Sequence, residues 1–285
     1  MGFSAADSHP SGTPSSAPKI LVFDSGVGGL SVADAILAKS PAAEILYAAD
    51  TAYLPYGVRP DAELKARIPD LLAALERRYA PDLIVVACNT ASTLALPEVR
   101  AAVSVPVVGT VPAIKPAAEK SAARVIGFLG TPRTVEREYS EALIRDFANG
   151  CSVVRFGSAD LVDLAERKLA GETIRPEAIT AALAPMFAMP DADRMDVAVL
   201  ACTHFPLLRA EIEAASPPGL AWIDSGEAIA RRTLSLLNLE CGSGRPRPTT
   251  VFSTAPDKLR PAAPAFAARG FSPVEDWDGP EELDD

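Results

Sequence analysis

Short apolar runs alternate with stretches of helical periodicity along most of this chain. The apolar runs predict buried strands at 19–24, 44–49, 83–87, 105–109, 124–129, 152–156, 197–201, 220–223 and 249–253. The periodic stretches predict helices at 28–39, 61–79, 91–103, 133–147, 160–169, 176–187, 228–237 and 256–268. Because alternating strands and helices are typical of parallel sheets with right-handed crossovers, the sequence predicts an α/β fold.

Two of the predicted strands repeat one design 114 residues apart. Asp82 begins an apolar run that ends at Cys88, and Asp196 begins one that ends at Cys202. Ligands of α/β proteins bind at the carboxyl ends of such strands. We therefore expect two pseudo-symmetric lobes, each a mostly parallel sheet flanked by helices, with the active site in the cleft between them.

The chain divides at positions where composition changes. The predicted segments are a disordered N-terminal tail (1–18), a first lobe (19–110 plus 219–275), a second lobe (111–218) and an acidic tail (276–285). The first 18 residues are rich in Ser, Pro, Gly and Ala and contain no apolar core of a signal peptide. Proline and glycine cluster near 110–116 and 217–220, so we expect the chain to cross between the lobes there.

Charge and cysteine usage restrict the class of protein. Of the 285 residues, 48% are hydrophobic and 22% are charged, and the formal net charge is −10. An acidic chain without a long basic run disfavours nucleic-acid binding, and no apolar stretch is long enough to span a bilayer. The four cysteines are irregularly spaced and no secretory signal precedes them, so we expect a cytoplasmic protein with free thiols.

A glycine-rich segment, Asp24 to Ser31, follows the first predicted strand. It has neither the Gly-x-Gly-x-x-Gly spacing of a dinucleotide site nor the Gly-Lys-Ser/Thr of a phosphate-binding loop. The glycines would let the backbone approach a small anionic ligand, although a purely structural turn would need glycine as well. Asp24, at the end of a strand, is harder to explain by structure alone.

The segment Tyr53 to Gly57 has two interpretations of equal weight. It can be a simple Pro-Tyr-Gly turn after the second predicted strand. Alternatively, Tyr56 and the amide of Gly57 lie at the rim of a site and hold a ligand carboxylate.

Cys88 and Cys202 are the main candidates for chemistry. A lone buried cysteine usually serves packing, but two cysteines at equivalent strand ends favour a functional pair. The start of a helix there should make the thiolate accessible near neutral pH. A metal site formed by Cys88, Cys202 and His204 is a weaker alternative, because the chain has no Cys-x-x-Cys and only one histidine outside the tail. No Gly-x-Ser-x-Gly motif supports a serine hydrolase.

Several motifs, in the same order, resemble those of the glutamate racemases, within the cofactor-independent aspartate/glutamate racemase superfamily. They are Phe23-Asp-Ser-Gly-Val-Gly-Gly-Leu-Ser-Val32, Asp50-Thr51 with Pro55-Tyr-Gly57, Val86-Ala-Cys-Asn-Thr-Ala-Ser92, Leu200-Ala-Cys-Thr-His-Phe-Pro206 and Ile223-Asp-Ser-Gly226. The chain departs from the usual pattern at Ala201 and Phe205. A larger departure surrounds Glu166, which is a candidate for an auxiliary carboxylate.

The resemblance implies roles for individual residues. Cys88 and Cys202 would exchange protons with Cα of the substrate on its two faces, assisted by Asp24 and His204 respectively. Other side chains or amides would bind the amino acid: Asp24, Ser25, Tyr56, Gly57, Asn89, Thr90, Thr203 and His204.

The resemblance also implies the substrate and the partners. The expected reaction interconverts L- and D-glutamate without a cofactor or a metal, and supplies D-glutamate for peptidoglycan synthesis. Aspartate or another amino acid is the alternative substrate, and a Cys/His metal-binding regulator is the alternative class of protein. A subset of this family is activated by a peptidoglycan precursor, so such an activator and a homodimer are the expected partners, with no nucleic acid and no membrane.

Overall fold

A computed structural model describes residues 18–239, 241–242 and 249–277. Almost all of the predicted tails at 1–18 and 276–285 lies outside the described residues. The strands are Lys19–Asp24 (β1), Glu44–Ala49 (β2), Leu83–Val86 (β3), Val107–Gly109 (β4), Val125–Gly130 (β5), Ser152–Gly157 (β6), Val197–Leu200 (β7), Ala221–Ile223 (β8), Thr249–Ser253 (β9) and Phe271–Asp276 (β10).

Helices connect these strands. They are Leu30–Lys39 (α1), Asp61–Tyr79 (α2), Asn89–Ala102 (α3), Ile114–Lys120 (α4), Pro132–Glu136 (α5), Glu138–Phe147 (α6), Asp160–Leu169 (α7), Pro176–Phe187 (α8), Arg209–Ala214 (α9), Gly226–Leu236 (α10), Pro256–Leu259 (α11) and Ala263–Ala267 (α12). Short 3₁₀ turns add Tyr56–Val58, Ala192–Arg194, Phe205–Leu208 and Arg260–Ala262. None of the helices in the described part of the chain is long and apolar enough to cross a bilayer.

Two parallel sheets organise the molecule, as the α/β prediction required. The first has the strand order β10-β9-β2-β1-β3-β4 and the second β6-β5-β7-β8. All the strand pairs of the described residues are parallel. The order 2-1-3-4 in the first sheet recurs as 6-5-7-8 in the second, so the strands that precede Cys88 and Cys202 occupy equivalent central places. We call the first sheet with its helices the first lobe, and the second sheet with its helices the second lobe.

Each sheet is buried on both faces, which explains the unbroken apolar runs of its strands. Because successive side chains of a strand point to opposite faces, Ile20 and Val22 pack with α1 and α10, whereas Leu21 and Phe23 pack with α2 and α3. The second lobe likewise has one core on each side of its sheet.

The predicted return of the chain to the first lobe at residue 219 is displaced. Strand β8 pairs with β7 in the second sheet. The chain then passes through Asp224 and Ser225 into α10, whose Ile229 and Ala230 enter a core of the first lobe. The cluster of Pro and Gly before β8 is therefore a turn within the second lobe, and the crossing comes about five residues later.

Two predicted helices were wrong in part. The helix expected over 133–147 is interrupted at Arg137, where the backbone is extended. The helix expected over 256–268 is broken into α11, a 3₁₀ turn and α12, since Pro261 and Pro264 each lie at the second position of a new short element.

The start of the acidic tail belongs to the fold. Asp276 ends β10, which pairs with β9, and Trp277 is buried in a core of the first lobe. The alternating polar residues of this edge strand hide it from an analysis that looks for apolar runs. The chain also forms α4 within the expected crossing at 110–116 and beyond it, where no helix was predicted.

Candidate active site

The two cysteines lie at the carboxyl ends of the central strands of the two sheets. Cys88 follows β3 by one intervening residue and caps the start of α3, and Cys202 follows β7 in the same way. The element after Cys202 is a 3₁₀ turn that begins at Phe205, rather than a long helix. Both thiols are free and only 6% and 5% exposed.

A cavity of about 390 Å³ lies between the lobes and is lined by both thiols. This volume falls within the range of small-molecule sites. The predicted site residues that line it are Ser25, Tyr56, Gly57, Cys88, Asn89, Thr90, Cys202, Thr203 and His204. The lining residues that sequence reasoning did not propose are Leu54, Pro55, Val58, Thr131, Pro132, Ala159, Val162 and Asp163; Glu166, left as a candidate, also lines it.

The sequence contains a pattern by which Thr131 could have been identified as a residue of the cavity. It follows Gly130, the last residue of β5, as Ser25 follows Asp24, the last residue of β1. Because β5 and β1 are equivalent in the repeated strand order, Thr131 is the counterpart of Ser25. The remaining unpredicted lining residues are mostly apolar and come from the turn around Tyr56 and from the first residues of α5 and α7, which carry no comparable pattern.

On the second-lobe side, Cys202 is linked to an acid–imidazole pair. Its Sγ lies 3.7 Å from Nδ1 of His204, and Nε2 of His204 lies 2.8 Å from Oε1 of Glu166. Burial alone would lower the pKa of His204, but its hydrogen bonds and charge interactions with Cys202 and Glu166 raise that pKa well above its ordinary value. The raised pKa favours the protonated imidazole, and its positive charge favours a negative charge on the Cys202 sulfur.

On the first-lobe side, no histidine among the described residues is hydrogen-bonded to Cys88. Its Sγ lies 3.8 Å from Oγ of Ser25. Burial, together with the nearby charge of Asp24, raises the pKa of Cys88 to about 12. The expectation of an accessible thiolate near neutral pH is therefore wrong for Cys88, because the effect of the start of α3 is outweighed by desolvation.

Asp24 lies beneath the cavity and is not part of its lining. It is fully buried, and Oδ1 accepts from the N–H of Gly26 at 2.9 Å while Oδ2 accepts from the hydroxyl of Thr203 at 3.1 Å. Burial raises its pKa, and the charge of His204 acts in the opposite direction. In this structure Asp24 therefore acts on the cavity indirectly. It binds the hydroxyl of Thr203, and its charge affects the pKa of Cys88.

The glycine-rich segment brings the first lobe against the second. The N–H of Val27 donates to Oε1 of Glu166 at 3.2 Å, and Oγ of Ser31 donates to the carbonyl of Thr203 at 2.8 Å. A Cβ at Gly28 would lie 2.6 Å from Nδ1 of His204. Glycine is therefore required at this position for close approach between the lobes, and not for a phosphate.

Asn89 presents an unused acceptor. Its Oδ1 is buried and has no hydrogen-bond partner among the described residues, although the side chain lines the cavity. An unpaired buried oxygen is costly, so this atom is suited to a ligand that donates a hydrogen bond.

Tyr56 lies at the cavity, but its hydroxyl is already engaged. It donates to Oδ2 of Asp50 at 2.7 Å, and the side chain is almost fully buried. Sequence reasoning allowed the tyrosine to hold a ligand carboxylate, and the structure leaves its ring and backbone, not its hydroxyl, for that purpose. The 3₁₀ turn has its first internal hydrogen bond from Val58 to Pro55, so the N–H groups of Tyr56 and Gly57 precede it.

Among the described residues, no group of three or more His, Cys, Asp or Glu side chains is placed to hold a metal ion. The alternative ligand set of Cys88, Cys202 and His204 is therefore not assembled as a metal centre in this structure.

Comparisons with known proteins agree on one family. The Asp/Glu/hydantoin racemase family model matches residues 22–233. A glutamate racemase from Sphingopyxis alaskensis is 48% identical over 268 residues, which cover 94% of this chain and 99% of the relative.

Solved structures of glutamate racemases share the fold. The Escherichia coli enzyme in complex with L-glutamate and the activator UDP-MurNAc-Ala has a TM-score of 0.84 at 43% identity, covering 91% of this chain and 98% of that chain. The Thermus thermophilus enzyme in complex with β-chloro-D-alanine has a TM-score of 0.71 at 33% identity, covering 92% and 96%.

Proposed function

This chain belongs to the Asp/Glu/hydantoin racemase family, and we propose that it is a glutamate racemase that moves protons at Cα with two cysteines. The observation that carries the proposal is the placement of Cys88 from one lobe and Cys202 from the other around one cavity. A substrate held between two thiols can lose its Cα proton on one face and gain another on the opposite face without turning over.

The proton balance needs no third reactant. One sulfur, as thiolate, takes the Cα proton and becomes a thiol, and the electron pair of the C–H bond stays on the substrate as a carbanion. The other sulfur, as thiol, gives its proton to the opposite face of Cα and becomes the thiolate. The reverse reaction uses the same two groups in exchanged roles.

The cavity offers neutral donors for the two carboxylates of glutamate. The lining contains no lysine or arginine within the described residues, so a substrate carboxylate would be met by N–H and O–H groups. Asn89 and Thr90 open α3, and the start of a helix favours a bound anion and the charge that develops at the α-carboxylate. The unpaired Oδ1 of Asn89 supplies an acceptor for the α-ammonium group.

The raised pKa of Cys88 fits the half of this cycle in which Cys88 is the acid, because burial keeps its sulfur as a thiol that is ready to donate. Glutamate carries a net negative charge, so the thiolate needed when Cys88 is the base has to be favoured by its α-ammonium group alone, held beside the sulfur.

The experiment incubates the purified protein with L-glutamate, D-glutamate and L-aspartate separately and follows the circular dichroism of each solution. We expect both glutamate solutions to approach the same racemic endpoint, with L-aspartate turned over more slowly. Faster turnover of aspartate would favour the sister activity. Loss of activity after EDTA dialysis, restored by zinc alone, would favour the metal-binding alternative.

The proposal also includes the partners of the protein and its location in the cell. The E. coli relative was crystallised with UDP-MurNAc-Ala as an activator, so a peptidoglycan precursor of that kind is the activator proposed here. A role in supplying D-glutamate for peptidoglycan follows from the same likeness. Two reduced thiols in the cavity fit a cytoplasmic protein, and a homodimer remains the expected assembly. The racemisation assay repeated with UDP-MurNAc-Ala, and sedimentation of the protein, test these points.

A further inference from the structure

A buried ion pair supports the turn at one end of the cavity. Asp50 directly follows β2, is fully buried, and accepts hydrogen bonds on both carboxylate oxygens. Oδ1 accepts from Nη2 of Arg67 at 2.8 Å and from the hydroxyl of Thr254 at 2.7 Å. Oδ2 accepts from Nε of Arg67 at 2.8 Å and from the hydroxyl of Tyr56 at 2.7 Å.

Arg67 holds this arrangement from α2. Its two hydrogen bonds to Asp50 form the bidentate fork that fixes both groups in one plane. Its guanidinium also lies 4.0 Å from the centre of the Tyr53 ring, three residues before Tyr56. Arg67 therefore contacts the turn at Tyr53 directly and at Tyr56 through Asp50, although it does not line the cavity.

The turn carries groups that the proposed function needs. Tyr56 and Gly57 line the cavity, and their N–H groups precede the first hydrogen bond of the 3₁₀ turn. Cys88, Asn89 and Thr90 lie together at the start of α3 and would surround Cα and its substituents. Tyr56 and Gly57 come from a different element, so they suit the carboxylate at the far end of the substrate side chain.

We infer that Arg67 is a positioning residue for substrate binding, which acts through Asp50 and Tyr56 to hold the N–H groups of Tyr56 and Gly57 toward the side-chain carboxylate of the substrate. This inference rests on the proposed function. It differs from a purely stabilising role, which a buried ion pair can also have. A stabilising pair would change the folded fraction, whereas a positioning pair changes the affinity of the folded enzyme.

The experiment measures KM and kcat for both glutamate enantiomers in Arg67→Met and Arg67→Lys. Contacts far from Cα are made equally in the bound substrate and the transition state, so their loss raises KM and leaves kcat nearly unchanged. We expect Arg67→Met to raise KM roughly 10-fold for both enantiomers, the size of a lost hydrogen bond to a charged group. Arg67→Lys keeps the charge without the bidentate fork and should give a smaller rise.

Arg269→Met is the matched control. Arg269 is 27% exposed against 26% for Arg67, and it also binds a carboxylate through Nε, that of Asp34 at 2.8 Å. Its hydrogen bonds in the described structure go to Asp34 and Ala265, which do not line the cavity, so its replacement should leave KM unchanged. Thermal melting of each variant separates loss of fold from loss of affinity. If Arg67→Met does not fold, KM measured in Arg67→Lys still tests the inference.

Tyr56→Phe removes the link between Asp50 and the turn while keeping the ring. If Arg67 acts through this link, the rise in KM of the double variant with Arg67→Met should be smaller than the product of the two single rises. An unchanged KM in folded Arg67→Met and Arg67→Lys, or a fall in kcat instead, would overturn the inference. A wild-type protein that racemises neither enantiomer would overturn the proposed function itself.

Discussion

The Cys88 side and the Cys202 side of the cavity occupy equivalent places in the fold but have different electrostatics. Both thiols follow the third strand of the order 2-1-3-4 or its repeat 6-5-7-8, and both are almost fully buried. Cys202 faces a histidine that is held by Glu166, whereas Cys88 faces a hydroxyl and lies near the buried Asp24. The repeated topology therefore places the two thiols, and residues outside the repeat set their proton affinity.

This difference has a chemical consequence for a reaction whose two directions exchange acid and base. The Cys202 sulfur has a positively charged partner for its thiolate form in His204, while the Cys88 thiolate depends on the α-ammonium group of the bound substrate. Because L- and D-glutamate are equally stable, kcat/KM must remain equal in the two directions. A difference between the two directions can appear only in the separate values of kcat and KM.

The largest effect is expected when either thiol is removed. Cys88→Ser and Cys202→Ser should each lower kcat/KM by roughly 10³-fold or more, because a serine hydroxyl is far too weak an acid and too poor a base at neutral pH. Cys241→Ser is the control, since that thiol is exposed and does not line the cavity. Substantial racemisation by either of the first two variants would contradict a mechanism that needs both sulfurs.

Substitutions of the residues beside each thiol should affect the two directions of the reaction differently. His204→Asn and Asp24→Asn are each expected to lower kcat/KM by about 10²-fold, at the lower end of the effect of general acid–base groups. His204→Asn should reduce mainly the kcat of the direction in which Cys202 is the base, because the imidazolium favours the Cys202 thiolate. Asp24→Asn should reduce mainly the kcat of the direction in which Cys88 is the base, because the charge of Asp24 raises the proton affinity of the Cys88 sulfur. Full progress curves from each enantiomer give kcat and KM, and equal losses of kcat in both directions for both variants would remove the distinction.

A smaller effect is expected from Glu166→Gln. Among the contacts that raise the pKa of His204, the hydrogen bond with Glu166 comes second to the one with Cys202, so a neutral replacement of Glu166 should lower that pKa. Imidazolium is lost as pH rises through this pKa, and activity should therefore begin to fall at a lower pH than in the wild type. At neutral pH we expect a loss of about 10-fold, comparable to one charged hydrogen bond.

The control for this pH profile is Glu172→Gln, which removes an exposed carboxylate paired with Arg167 in the same lobe. Its profile should overlay that of the wild type. A Glu166→Gln profile that also overlays the wild type would show that the carboxylate does not tune His204.

A further prediction, which involves no turnover, concerns the reactivity of Cys88 in enzyme assayed without substrate. With a pKa of about 12, Cys88 is almost entirely a thiol between pH 8 and 10. Its rate of alkylation by iodoacetamide should therefore rise about tenfold per pH unit throughout this range, because only the thiolate reacts. Mass spectrometry of the Cys88 peptide measures this rate, and a plateau below pH 10 would show a thiolate formed without substrate.

Most of the fold followed from the apolar pattern, since parallel strands buried on both faces give unbroken apolar runs. The edge strand β10 was missed because its polar positions are solvent-facing, and its Trp277 was taken for part of a tail. The displaced crossing at Asp224 depended on which sheet accepts β8, and a strand of three residues does not encode that choice in its own sequence.

The parts of the candidate site that follow the repeated strand design could be predicted from the sequence. The parts that depend on contacts between distant segments could not. Cys88 and Cys202 were found because their strands share one design. The pairing of Glu166 with His204 depends on packing of α7 against the turn after β7, and no local pattern reports it. The pKa of Cys88 was misjudged because helix polarity is visible in a sequence, whereas the depth of burial is not.

The most direct test of two thiols on opposite faces is the fate of the Cα hydrogen. Each enantiomer of glutamate is incubated in D₂O, and substrate and product are separated at low conversion and analysed by mass spectrometry. A proton taken by one sulfur should stay there while the other, equilibrated with solvent, delivers deuterium, so the product should be labelled from the start and the remaining substrate almost unlabelled. Early product that retains most of its original Cα hydrogen would show a single base serving both faces and would contradict the two-thiol mechanism.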